Sequence, residues 1–201
     1  MDDVRFYDEY QNMPFIVTEL EDLPGGGSLR LGDLDKSKRV INPGFFVGKD
    51  SEGMLILCVA AVLVESAEED ATSFKVKKGS QLKVGMPIAG DAEGSKAYKI
   101  TDIDTSNVEF DTVKIGTALG VALEEITGAI YEVKAEDADG GKSEIPTIPI
   151  GVAKNEIDLS KNHAETGVSV RGTYTVATMA FGAPEAFTKH LPLMRFNRPN
   201  V

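Results

Sequence analysis

The chain has 201 residues, with 21 Lys and Arg against 32 Asp and Glu, a formal net charge of −11. That balance argues against a protein that tracks phosphates on a nucleic acid, which needs a basic stripe to release counterions, and against an anionic membrane surface as partner. With 42% hydrophobic and 26% charged residues the composition is globular. One Cys excludes an internal disulfide, and one Cys with two His does not supply a finger- or ribbon-type zinc site.

The first residues, Met1 to Asp8, are acidic ahead of any apolar run, the wrong polarity for a signal peptide. The longest apolar run, Met54 to Val64, falls short of the about 20 residues a helix needs to cross a bilayer. The expectation is a soluble, non-exported chain.

Residues 1–39 read as an N-terminal arm and linker. Phe6, Tyr7, Tyr10, Phe15 and Ile16 alternate with acidic side chains in no clean helical or strand period, and Pro24-Gly25-Gly26-Gly27-Ser28 breaks the chain. Four aromatics in the first fifteen residues are more than a solvated tail carries, so these five residues are the candidate partner-binding set.

Residues 40–201 read as a β-rich body. Phe45-Phe46-Val47 and the run from Met54 to Val64 predict two strands about a turn, and Glu65 to Ala71 a short helix or loop. From Phe74 to Val133, short alternating runs and turn residues follow one another closely: Phe74–Lys77, Leu82–Ile88 with Pro87 at an edge or bend, Tyr98–Ile103, Thr112–Gly116, Ala118–Leu123 and Ile130–Val133. Residues 134–145 form an acidic surface insert. Ile148–Ala153 and Thr166–Val176 predict further strands, Pro184–Leu191 a short helix and Leu193–Phe196 a last strand. The predicted fold is mainly β: a small barrel- or sandwich-like body with one or two short helices and an extended N-terminal arm.

Motifs for chemistry are sparse. Gly25-Gly26-Gly27-Ser28 lacks the Lys of a phosphate-binding loop and reads as linker. Cys58 sits in the most apolar run and predicts an inert thiol. His163 and His190 are the only candidate general bases, and no nucleophile elbow accompanies them. Asp102-x-Asp104-x-Ser106 is not continued as a calcium loop, so no metal or cofactor is expected.

Three segments taken in order carry a resemblance. They are Val84-Gly85-Met86-Pro87-Ile88 with Lys114-Ile115-Gly116-Thr117-Ala118-Leu119; Ile148-Pro149-Ile150-Gly151-Val152-Ala153; and Val168-Ser169-Val170-Arg171-Gly172 followed by Met179-Ala180-Phe181 and Leu191-Pro192-Leu193-Met194-Arg195-Phe196. Over roughly residues 40–196 the chain resembles the head (capsid) decoration proteins of tailed bacteriophages, the lambda type. The arm and the acidic insert depart from that pattern. The resemblance implies a structural virion protein without an active site, made in the host cytoplasm and placed on the capsid exterior. It would form a homotrimer that binds the major capsid protein and use its arm to extend a sheet along the shell. A fibre or surface-adhesin module engaging a cell-surface glycan is the alternative, and a hydrolase using a carboxylate with His163 or His190 is a third.

Overall fold

The computed structural model describes residues 15–32, 34–141, 143–161 and 163–198. The strands, in chain order, are β1 (Ile16–Asp22), β2 (Gly27–Ser28), β3 (Val40–Ile41), β4 (Phe46–Lys49), β5 (Leu55–Leu57), β6 (Ala60–Val62), β7 (Ser73–Lys77) and β8 (Pro87–Gly90). They continue as β9 (Ala97–Asp104), β10 (Phe110–Ile115), β11 (Ala129–Glu132), β12 (Pro149–Ala153), β13 (Ile157–Asp158), β14 (Glu165–Thr166), β15 (Val168–Thr175) and β16 (Met194–Asn197). One α-helix, α1 (Glu185–Thr188), precedes the last strand. The chain is mainly β, as its punctuation predicts.

Six strands, in the order β6-β11-β8-β9-β10-β7, pair antiparallel around a barrel. The first and last are joined by a bridge between Leu63 and Val76, with the Val64 N–H donating to the Lys75 carbonyl at 3.0 Å. Closure removes the free edges that a flat sheet exposes. Alternation fills the interior. Along β10, Asp111, Val113 and Ile115 are buried while Lys114 is exposed, as a period of two requires. Phe74, Val76, Ile88, Ile100, Val113 and Ile130 are each 1% exposed or less.

The second unit is an open sheet in the order β1-β15-β12-β4-β5. β15 is its organising strand. β1 runs antiparallel along one edge, and two strands share the other end to end: β12 against Val168 and Ser169, β16 parallel against Gly172 to Thr175. The apolar run from Met54 to Val64, which reads as one strand, is divided between the two units. β5 pairs with β4 in the open sheet, the chain crosses at Cys58-Val59, and β6 enters the barrel against β11. Residues buried on every side lose the alternation that would mark such a break. Ala118–Leu123 is likewise not a strand. Leu119 and Leu123 are buried plugs whose carbonyls accept from Lys96 and Ala67, each at 2.8 Å. Residues 65–71 are irregular rather than helical.

The units share one core, joined by a series of aromatic contacts. Ring centroids run from Phe15 to Tyr174 (6.4 Å), to Phe196 (5.5 Å), to Phe46 (5.6 Å), to Phe187 (5.5 Å) and to Tyr131 of β11 (5.7 Å). Phe187 belongs to α1, which Pro184 precedes as its N-cap residue. The barrel loop caps that helix: the Asp91 carboxylate accepts from the Glu185 N–H at 2.6 Å.

From Phe15 onward, the segment expected as an arm is built into this body. β1 lies on β15, and Leu29 and Leu31 are buried in the core.

Candidate functional site

Of the five residues singled out as a partner-binding set, Phe6, Tyr7 and Tyr10 lie outside the described residues. Phe15 and Ile16 are half-buried against the chain's own core. The Phe15 carbonyl accepts from the Thr175 N–H at 2.8 Å and its ring stacks on Tyr174. Gly44 makes room for that ring. It has φ +89°, and a Cβ there would stand 3.2 Å from the Phe15 ring, so both backbone and space favour glycine. Ile16 pairs with Tyr174 across β1 and β15.

Past Ile16, β1 is an exposed edge strand with register shifts along β15. Lys154 fastens it, donating to Glu19 Oε1 at 2.7 Å and Asp22 Oδ2 at 2.5 Å. Gly172 permits the close approach of β1, since a Cβ there would collide with the Thr18 carbonyl oxygen.

On the outer side of this sheet, Leu20, Arg171, Gly172, Thr173, Pro192, Leu193 and Arg195 line a groove of about 340 Å³. Leu20 is 65% exposed and Leu193 63%. Glu21 stands across from Arg171 in the register, yet neither Arg171 nor Arg195 forms an ion pair with a described residue. Two arginines beside two exposed leucines make a surface suited to protein contact: the guanidinium is weakly hydrated and offers five donors, and the leucines gain by leaving water. Sequence reasoning marked the strands that became β15 and β16 but read the segment of β1 as an arm, and it missed the groove because Leu20 and Leu193 are far apart along the chain.

A second cleft, of about 300 Å³, lies where β5, β11 and residues 146–147 meet. Its polar lining is Arg30, Gln81, Lys83, Glu132 and Thr147. Arg30 is already held by Asp50 (2.5 Å) and Glu52 (2.8 Å). Burial pushes the Glu132 carboxyl up, and Lys83 offsets part of that rise. Gln81 is buried. Its Oε1 accepts from the Asp35 N–H at 2.7 Å, while Nε2 has no acceptor among the described residues.

Cys58 is buried at the crossing between the units. Desolvation, then the nearby Glu132 charge, pushes its thiol to about 12, so it stays protonated and unreactive near neutrality. His163 and His190 are both exposed, and no side-chain hydrogen bond from either to a carboxylate is present among the described residues. No group of three or more His, Cys, Asp or Glu side chains is placed to hold a metal among the described residues. None of the described helices is long and apolar enough to cross a membrane.

No family model, curated protein or solved structure matches the chain.

Proposed function

We propose that the protein is a structural component of a phage or prophage virion that decorates and stabilises the capsid from outside, as a homotrimer, and works by contact rather than catalysis. The observation that carries this reading is the groove of exposed leucines and of arginines without an ion pair among the described residues, set on the open sheet that shares its core with the closed barrel. A rigid β body with one apolar and cationic face is what a clamp needs, because little ordering entropy is lost on docking.

Two further features support it. Two of the three segments that carry the likeness to head decoration proteins are structural neighbours in the open sheet, while the first lies in the barrel: Val168–Gly172 lies in β15, Leu191–Phe196 supplies β16 beside it, and Ile148–Ala153 supplies β12 on the same edge. The large exposed apolar side chains among the described residues are all aliphatic. Aliphatic groups suit protein contact, whereas a glycan-binding face relies on flat aromatic rings.

The test is to mix the purified chain with expanded shells of the major capsid protein encoded in the same genome and image them. Density at the threefold or quasi-threefold positions, with the groove toward the shell or a neighbouring copy, is the expected result. Shells that stay bare at saturating protein reject the reading.

A further inference from the structure

We infer that the groove between Leu20 and Leu193 is the seat for a second copy of this chain, which inserts its acidic turn around Ile126. The inference deepens the proposed function and rests on it only for the number of copies.

The groove defines what can occupy it. Its two arginines call for carboxylates, and Leu20 and Leu193 call for an apolar side chain between them. The chain carries such a feature itself. Ala67 and Leu123 exchange two backbone hydrogen bonds, each 2.8 Å, which sets Glu68-Glu69-Asp70 beside Glu124-Glu125. All five carboxylates are exposed, and none forms an ion pair with a described residue. Ile126 follows directly and is 43% exposed, an apolar tip on an acidic base. Some exposed lysines elsewhere are matched within the chain, as Lys99 is to Glu136, Lys114 to Asp102 and Lys134 to Glu144, whereas the exposed Lys36, Lys49 and Lys189 are not among the residues that line this groove. The groove and the turn are complementary in both respects: arginines face carboxylates, and two exposed leucines face an exposed isoleucine.

Geometry sets the kind of assembly. The turn and the groove are different parts of one chain, with β16 between them: Leu193 precedes that strand, and Arg198 follows it and donates to the Thr127 carbonyl at 3.4 Å. A contact between different patches is head-to-tail and closes into a ring when the rotation allows. A two-fold contact through the groove alone would instead set Arg171 and Arg195 of one copy against those of the other. Exposed ion pairs are individually weak, so Ile126 against the two leucines, multiplied by ring closure, must hold the ring.

Light scattering across a wide range of protein concentration tests this. The wild-type chain is expected at a multiple of its 21.6 kDa mass, three copies under the proposed function. R171E with R195E, and separately E124R with E125R, should each drop the mass to one chain with circular dichroism unchanged, because all four sites are exposed. The fourfold charge swap should restore the multiple. A monomeric wild type, an oligomer indifferent to both reversals, or a fourfold variant that stays monomeric overturns the inference. A monomer that still coats shells rejects the ring and keeps the decoration reading; a ring that leaves shells bare does the reverse.

Discussion

Tyr174 lies back along its own strand and donates its hydroxyl to Ser169 Oγ at 2.6 Å, five residues earlier in β15. The ring is fully buried, and its path passes over Gly172, where a Cβ would stand 3.0 Å from the hydroxyl oxygen. Burial pushes the phenol up, and the bond to Ser169 partly opposes that. Tyr174→Phe keeps the packing and leaves Ser169 Oγ with its long 3.5 Å bond to the Glu21 carbonyl, and should cost about 1 kcal/mol. Gly172→Ala meets both this hydroxyl and the Thr18 carbonyl and should cost more, on the order of 2–3 kcal/mol. Urea titrations of the two variants, compared by midpoint at constant slope, check the ranking.

The fastening of β1 should depend on pH at both extremes. Asp22 is held below its ordinary 3.8, first by its hydrogen bond with Glu19 and then by Lys154. A lowered carboxylate contributes stability above the unfolded value and loses it as pH falls through the folded one. Lys154 is held above 10.5, first by Asp22 and then by Glu19, so its contribution is complete below 10.5 and fades as pH rises past the folded value. Hydrogen exchange, corrected for intrinsic rate, should show β1 amides opening below pH 3.8 while barrel strands stay protected. Lys154→Ala should produce the same selective opening at neutral pH. Equal protection of β1 at both pH values would contradict the assignment.

Asp111 sits inside the barrel wall with its side chain 3% exposed, and Lys78 reaches it at 2.8 Å. Removing the cation leaves a buried carboxylate with weaker compensation from Lys38. Lys78→Ala should therefore destabilise by on the order of 3 kcal/mol. Asp111→Asn should be milder, because Lys78 can turn to water. Thermal unfolding of both variants gives the order.

Cys58 offers a direct report on the joint between the units. With its thiol near 12 and its side chain buried, alkylation by iodoacetamide at pH 8 should be negligible in the folded chain. In urea it should approach the rate of a free thiol. Labelling that starts well before the loss of circular dichroism would show the barrel and the open sheet separating first.

Much of the strand pattern was legible because half-buried strands advertise themselves. Tyr98–Ile103, Thr112–Gly116 and Thr166–Val176 alternate, and each forms a strand within a residue or two of those limits. Met54–Val64 misled because Leu57 to Leu63 are buried without a break, so nothing in their pattern marks Cys58-Val59 as the crossing. Phe15 and Ile16 drew attention as aromatic and apolar residues in an acidic stretch; that signal cannot separate a partner's pocket from the chain's own Tyr174 and Gly44. The groove was invisible for a different reason. It is assembled by β1, β15 and β16, and the parallel pairing of β16 with β15 follows from a fold-level path that no local run encodes.

The Leu63–Val76 bridge has a consequence for how the molecule can grow. A cylinder whose hydrogen-bond ladder returns to its start has no rung to offer a newcomer. Recruitment of a foreign chain by backbone pairing is thereby confined to the open sheet. There Leu29 and Arg30 shield the Leu55 rim, and acidic residues guard the margin of β1. Crowded at high local density, such a molecule meets its neighbours through chosen side chains and resists fusing into a continuous fibre.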